Sequence, residues 1–379
     1  MKPFYRPTWI EVDLDAIKHN VDVVRRMNAG KKIFAVIKAN AYGHGDVEIA
    51  STVVKAGVEG LAVSSLDEGI HLRESGIKVP ILVLGAIEIE DAYIASDYEL
   101  SVTAMSPVWI EKLSLCQFNK PLKVHIKLNT GMNRLGIEEQ SVLKNAIKRL
   151  RKNPSIELEG LFTHFATADE ESEVGFQKQL NTFEELFQSI GMKEFKYVHI
   201  ANTATLLKHQ FEFDHAIRLG IGLYGINPTN ENLKHELRPA LSLYSRLTQM
   251  RWLNQGEQVG YGFTYEAEEG HWMGVIPIGY ADGWWRLNQG RSVVIEGEEC
   301  EIIGRVCMDQ MMVKLSRPFE TGTQVTLIGN NMPIVRVAKE LDTIPYEVLC
   351  SLSDRIPRLY LSEERQQSCN QMRFAMNRS

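Results

Sequence analysis

The sequence predicts an α/β fold: an N-terminal (β/α)8 (TIM-type) barrel followed by a second, mainly β domain. Three observations carry this. Short apolar runs recur over the first 230 or so residues, with helical segments between them. These runs are β-branched and apolar on both faces, as parallel strands buried on both sides must be. After about residue 233 the rhythm changes to short runs split by Gly, Asn and charged turns. Strand–helix alternation points to a barrel, with an open doubly wound sheet as the alternative. The domains are expected at 1–232 and 233–379.

The runs are FAVIKA (34–39), GLAVSS (60–65), ILVLG (81–85), LSVTAM (100–105), KVHIKLN (123–129), LEGLFTHF (158–165), YVHIAN (197–202) and AIRLGIGLYG (216–225). Between them, Ser65-Leu66-Asp67-Glu68 reads as a capping box, and Gly76 can end that helix. Ser106 followed by Pro107 opens VWIEKL with proline at the first helical position. Phe176, Leu180, Phe183, Phe187 and Ile190 recur at three and four, which gives a helix one buried face. In the second domain ALSLYSRLTQMRWL, HWMGVIPIGY, RSVVIEG, CEIIGRVCM, QMMVKL and TQVTLIG read as strands, and only VRVAKELD reads as a helix.

Composition narrows the function classes. The chain of 379 residues carries 42 Lys plus Arg against 48 Asp plus Glu, a net charge of −6. No basic surface for nucleic acid and no polybasic membrane patch follow from that balance. The start, MKPFYRPTWI, has two prolines and no apolar core of a secretory signal. No apolar run approaches the ~20 residues of a membrane helix. Cys116, Cys300, Cys307, Cys350 and Cys369 are scattered and lack C-x-x-C spacing, so neither a disulfide framework nor a zinc site is expected. A reducing, cytoplasmic setting is the simple inference. Cys307 lacks a nearby base and reads as a small packed cysteine. Trp284–Trp285 suits a surface patch or a domain contact equally.

In a barrel of this kind the active site lies at the C-terminal ends of the strands. Lys38 and Tyr42 follow the first run. Lys127, Asn129 and Arg134 follow the fifth, His164 ends the sixth, Asn202 and Thr203 end the seventh, and Arg218, Gly220 and Gly222 belong to the eighth. Each has a bland reading: Lys38 can point into water, Thr203 can cap a helix, and His164 can be a satisfied core histidine. Together they place cations, hydroxyls and glycines around one mouth, which suits an anionic cofactor. Burial lowers a lysine pKa, and a neutral lysine can form a Schiff base with an aldehyde. Pyridoxal phosphate (PLP) combines an aldehyde, a phosphate and an electron sink. The pattern alone leaves a Schiff-base aldolase or a phosphate-binding barrel equally open.

AVIKANAYGHG resembles the cofactor-lysine signature of the PLP-dependent alanine racemases. The resemblance continues through KLNTGMNRLG (127–136), THFATAD (163–169), HIANTAT (199–205), IRLGIGLYG (217–225), VGYGFTY (259–265), IPIGYADG (276–283), GRVCMDQ (304–310) and IPYEVLC (344–350), in family order over nearly the whole chain. It implies interconversion of L- and D-alanine, supplying D-alanine for peptidoglycan, on a barrel plus a C-terminal β domain. It further implies that Lys38 holds PLP as a Schiff base and is one base, with Tyr261 the other. Tyr42, Thr203, Tyr346 and the backbone of Gly220 and Ile221 would hold the phosphate. His164 would join the polar network beside the cofactor and Arg218 would contact the pyridine nitrogen. Arg134 and the backbone of Met308 would hold the substrate carboxylate. Lys127 matches a lysine that is carbamylated in many members. No metal is implied. A homodimer with shared active sites is.

The sequence departs from the family pattern at Asn129 and Asn133, where aspartate and glycine are common, at Thr203 for serine, and at Gly260 for the serine before the tyrosine. None of these removes a reacting group. Alternatives within reach of the resemblance are a racemase of serine or broader range, a PLP-dependent decarboxylase of the same fold type, and a PLP-binding barrel without racemase activity. Lys38 and Tyr261 both start from an ordinary pKa near ~10, so each needs burial or cationic neighbours to act near neutrality.

Overall fold

The computed structural model describes residues 4–190, 195–229 and 237–363. The expected boundary between 232 and 233, and Cys369, lie outside the described residues. The chain forms two compact units. One comprises Ala16–Ala41 and Asp46–Pro239; the other comprises the amino-terminal segment to Asp15, the stretch Tyr42–Gly45, and the chain from Ala240 on.

The first unit is the expected barrel. Its eight strands are Lys32–Val36, Gly60–Val63, Ile81–Val83, Ser101–Ala104, Leu122–Lys127, Ile156–Phe162, Tyr197–His199 and Ala216–Leu219. Every neighbouring pair in the sheet is parallel. The backbone bonds Arg218 N–H to Ala201 O (3.0 Å) and His215 N–H to Val198 O (2.9 Å) join the last two strands and close the ring. The apolar runs mark them because Ala35, Leu61, Leu82, Val102, Val124 and Leu161 are fully buried.

The helices start where local chemistry says they should. Ser65 and Glu68 form a complete capping box on Leu66–Glu74. Ser106 accepts the backbone N–H of Trp109 and Pro107 opens Pro107–Leu113. Phe176, Leu180, Phe183 and Phe187 lie on the buried face of Glu173–Gln188.

The second unit is mainly β. A nine-stranded sheet runs in the order Gln249–Leu253, His271–Ile276, Met311–Leu315, Glu298–Ile303, Ser292–Ile295, Gln324–Ile328, Leu241–Arg246, Thr8–Asp13, Arg358–Leu361. Two short helices, Ile334–Glu340 and Pro345–Ser351, accompany it.

The amino-terminal segment differs from the expectation, which gave it to the barrel. Thr8–Asp13 pairs antiparallel with Leu241–Arg246 (Ile10 opposite Leu243) and parallel with Arg358–Leu361. Burial decides this: Ile10 and Val12 are fully enclosed in that sheet. A strand pattern predicts a pleated edge but not its partner, which here lies more than 200 residues away.

Candidate active site

The strand Lys32–Val36 ends one residue short of Ile37, and Lys38 opens a left-handed turn, Lys38–Tyr42. Ala39, Asn40, Ala41 and Tyr42 all have φ near +52° to +53°. None is glycine, and each such residue costs roughly 1–2 kcal/mol. The turn persists because its polar groups are tied down. Ala41 N–H donates to Ile37 O (2.9 Å). Ala39 N–H donates to Oε1 of Glu68 (2.7 Å), the same carboxylate that caps the next helix. The Asp46 N–H donates to Oδ1 of Asn40 (2.9 Å). The chain leaves the turn through Gly43, φ +79°, where a Cβ would fall 2.3 Å from the Leu349 carbonyl oxygen. Strain held in place by surrounding bonds is characteristic of functional sites.

Arg218 is the hub of the barrel interior. Its guanidinium donates to the carbonyl oxygens of His199 (2.5 Å), Thr163 (2.7 Å) and Ile200 (3.2 Å). It also donates to Nδ1 of His199 (2.8 Å) and Nδ1 of His164 (3.2 Å). Burial lowers the Arg218 pKa, with Asp214 opposing. Arg218 and Lys127 both lie over the ring of Phe162, at 5.4 and 4.6 Å.

The cations converge on His164. Burial first, then the charges of Arg218, Lys127, Arg134 and Lys38, push its pKa well below the ordinary histidine value. His164 is therefore neutral, and accepting from Arg218 at Nδ1 leaves Nε2 to carry the hydrogen. Lys127 is buried, and its pKa is driven well down by burial, then by Arg218 and Arg134. Both effects favour the uncharged amine. Asn129 organises the loop between Lys127 and Arg134: its Oδ1 accepts the N–H of Gly131 (3.3 Å) and of Asn133 (2.9 Å). Its Nδ2 donates to Oε1 of Glu138 (2.6 Å) and Oδ1 of Asn133 (3.1 Å). The amide at 129 thus bridges two acceptors, which an aspartate cannot do. Asn133 takes φ +56°, which asparagine tolerates at a position where glycine is easiest.

Thr203, buried at the start of helix Thr203–Lys208, accepts the N–H of Gly220 (3.0 Å) and Gly222 (3.3 Å). The turn Ile221–Tyr224 begins there. One hydroxyl and the backbone around Gly220 and Ile221 thus sit at the mouth of the last strand, a setting for an anion.

In the β unit Tyr42 and Tyr346 have ring centroids 5.9 Å apart. Burial, then the proximity of Tyr346 and Cys350, raises the Tyr42 pKa, so its hydroxyl stays protonated and can donate. Tyr261 is 72% and Met308 53% exposed. Tyr261 follows Gly260, φ +75°, whose left-handed backbone glycine allows. Trp284 is core, whereas Trp285 is half-buried. Among the described residues Cys116, Cys300, Cys307 and Cys350 form no disulfide, and burial raises the Cys307 thiol pKa. Among the described residues no cluster of His, Cys, Asp or Glu could hold a metal ion.

The barrel thus brings Lys38, Lys127, Arg134 and Arg218 within electrostatic range of His164, with Thr203, Gly220 and Ile221 at the adjoining strand end. An amine, a donor-only guanidinium and an anion cradle suit a phosphorylated aromatic aldehyde with a ring nitrogen. Sequence reasoning passed over His125, Glu159 and His199, all buried inside the barrel. Their signal was present: each is a polar residue inside an apolar strand.

Comparison with known proteins agrees with this geometry. Residues 12–228 match the family model of the alanine racemase N-terminal domain, and residues 240–360 that of the C-terminal domain. Alanine racemase 1 of Bacillus subtilis (strain 168) is 43% identical over 368 residues, covering 95% of this chain and 94% of its own. Alanine racemase of Geobacillus stearothermophilus is 43% identical over 374 residues, 96% of each chain. The crystal structure of alanine racemase from E. faecalis superposes with a TM-score of 0.91 at 41% identity, covering 95% of this chain and 99% of that one. A histidine racemase from Leuconostoc mesenteroides gives a TM-score of 0.87 at 30% identity, covering 94% and 99%.

Proposed function

The chain belongs to the alanine racemase family, and from that premise we propose that it interconverts L-alanine and D-alanine with pyridoxal 5'-phosphate as cofactor. The observation that carries the reading is the convergence of Lys38, Lys127, Arg134 and Arg218 on a neutral His164. Such a mouth attracts a phosphate and a substrate carboxylate, and it depresses the pKa of amines within it.

When bound, PLP supplies the electron sink that acidifies the α-hydrogen of an attached amino acid. Lys38 would hold the cofactor. Its Nζ would take or return the α-proton on one face, and the Tyr261 hydroxyl would act on the opposite face. Arg134 and the Met308 backbone would hold the substrate carboxylate against rotation. Tyr42, Thr203, Tyr346 and the backbone of Gly220 and Ile221 would hold the phosphate. Arg218 donates but cannot accept, so it would keep the ring nitrogen unprotonated. By that donor-only contact Arg218 would favour prompt return of a proton to the α-carbon over transamination. Burial favours the uncharged form of Lys127, which would add carbon dioxide, forming an N–C bond and releasing a proton; the carbamate charge would then orient Arg134.

Each site is proposed to take Lys38 from one chain and Tyr261 from a second copy. Tyr261, Phe263, Tyr280 and Met308 are exposed in the β unit, which supports a face covered by another molecule. The product would serve the cell wall, and the setting would be cytoplasmic; no helix among the described residues is long and apolar enough to cross a membrane.

The test is a panel of L-amino acids assayed with chiral product detection. Alanine should be racemised fastest, and borohydride should fix the yellow cofactor to the Lys38 peptide. Preference for serine or another amino acid would overturn the substrate assignment. A label on another peptide would overturn the role of Lys38.

A further inference from the structure

The hydrogen bonds inside the barrel run in one direction. Arg218 Nη1 lies 2.8 Å from Nδ1 of His199. A guanidinium has no lone pair to offer, so it donates, and Nδ1 of His199 carries no hydrogen. The hydrogen of His199 is then on Nε2, which lies 2.9 Å from Nδ1 of His125 and donates to it. By the same step the hydrogen of His125 is on Nε2, 3.1 Å from Oε2 of Glu159. Ser101 Oγ donates to that same oxygen (3.0 Å), and Lys196 Nζ donates to Oε1 (3.0 Å). Both imidazoles are neutral and hold the same tautomer. An extra proton on either would set two N–H groups head to head.

The surroundings are built for these rings. His125 and His199 are fully buried and Glu159 is 2% exposed. His199 stacks on Phe162 at 4.8 Å and 9°, and His125 on Tyr197 at 5.8 Å and 17°. Gly160 leaves room: a Cβ there would fall 2.2 Å from Nδ1 of His125.

We propose that His199, His125 and Glu159 form a directional relay that positions Arg218, with Glu159 the remote anion that sets both histidine tautomers. All three are positioning residues. Among the described residues every hydrogen-bond acceptor of Arg218 is neutral, and the carboxylate that completes the chain stands two imidazoles away. The guanidinium is thereby oriented with no carboxylate hydrogen-bonded to it among the described residues, Asp214 reaching it only through its charge. The relay rests on this chain's own hydrogen bonds. Its effect on the reaction rests on the proposed role of Arg218 at the ring nitrogen.

Glu159→Gln tests it. The Lys196 ammonium has only donors, so it would hold the amide oxygen and turn the amide NH2 toward His125 and Ser101. His125 would then have to accept at Nε2 and carry its hydrogen on Nδ1. His199 would follow, and its Nδ1–H would oppose Arg218. Adding Lys196→Met removes the competing donor. The amide oxygen can then face His125, and the NH2 can point to the half-exposed position of Lys196.

The readout is 15N NMR of histidine-labelled holoenzyme, with the ratio of racemisation to transamination measured alongside. His125 and His199 should be Nε2–H in the wild type, Nδ1–H in the single variant, and Nε2–H again in the double variant. Racemisation should fall by on the order of tenfold in the single variant and recover in the double one. Nδ1–H signals in the wild type, tautomers unmoved by Glu159→Gln, or a double variant no better than the single would each overturn the relay. Tautomers that respond while the ratio stays constant would keep the relay and overturn the role of Arg218 on the ring nitrogen.

Discussion

Gly160→Ala offers a sharp measure of how tightly the barrel interior is filled. The added Cβ would lie 2.2, 2.6 and 2.7 Å from Nδ1, Cε1 and Cγ of His125. The ring cannot step aside. It is bonded to His199 and Glu159 and faces Phe34 edge-on, at 6.4 Å and 76°. Overpacking of this kind costs about 1–3 kcal/mol. A hydrogen bond broken by the displaced ring leaves a buried partner unsatisfied, for about 1–3 kcal/mol more. Replacing a strand glycine by alanine returns about 0.5–1 kcal/mol. The expected net loss is about 3 kcal/mol, read from urea unfolding at matched protein concentration, since the stability of a chain that pairs as proposed would depend on it. In a His125→Ala background the same Cβ has room, so Gly160→Ala should there be neutral or slightly stabilising. The cycle should yield a coupling of about 3 kcal/mol. Equal costs in the two backgrounds would refute the steric argument.

Further outcomes follow from the charges. Burial pushes the Glu159 carboxyl up, but the hydrogen bonds from His125 and Lys196, with the charge of Lys196, outweigh it and hold the pKa down, toward about 2 against its usual 4.5. A depressed carboxyl pKa stabilises above the unfolded value, and that stability is lost as pH falls from 4.5 toward 2. The full shift equals about 3 kcal/mol, and with His125 held neutral we expect about 2 kcal/mol. The stability gap between wild type and Glu159→Gln should narrow by that amount between pH 6 and pH 3; a pH-independent gap would contradict it. Lys127→Ala should lose activity on the order of a hundredfold, the scale of a mispositioned substrate group, with partial rescue by short carboxylic acids. Absence of any rescue would count against a carbamate. Lys38→Ala and Tyr261→Phe chains, each nearly inactive alone, should regain activity when mixed, because one of the two sites then carries neither defect. Proven subunit exchange without recovery would rule out shared sites.

What the sequence determined by itself was local in origin. The eight barrel strands were legible because each is a short, largely buried apolar run of three to seven residues. The capping box at Ser65–Glu68 and the start at Ser106-Pro107 were legible because caps act within one turn. The motifs around Lys38, Lys127, His164, Thr203 and Arg218 mark the mouth for a similar reason: each lies at or just beyond the end of its own strand. Tertiary structure decided the rest. Thr8–Asp13 reads as a strand anywhere, and only the burial of Ile10 and Val12 assigns it to the distant sheet. No propensity foretells four successive non-glycine residues in a left-handed turn, because bonds to Ile37, Glu68 and Asp46 hold it against its own preference. His125, Glu159, His199 and Arg218 look in the sequence like isolated polar interruptions in separate strands. Barrel closure brings them within 3.1 Å of one another in succession. Only there does the donor-only chemistry of one guanidinium dictate which nitrogen of two distant histidines carries a proton, since a tautomer is set by the partner a side chain meets and not by the residue itself.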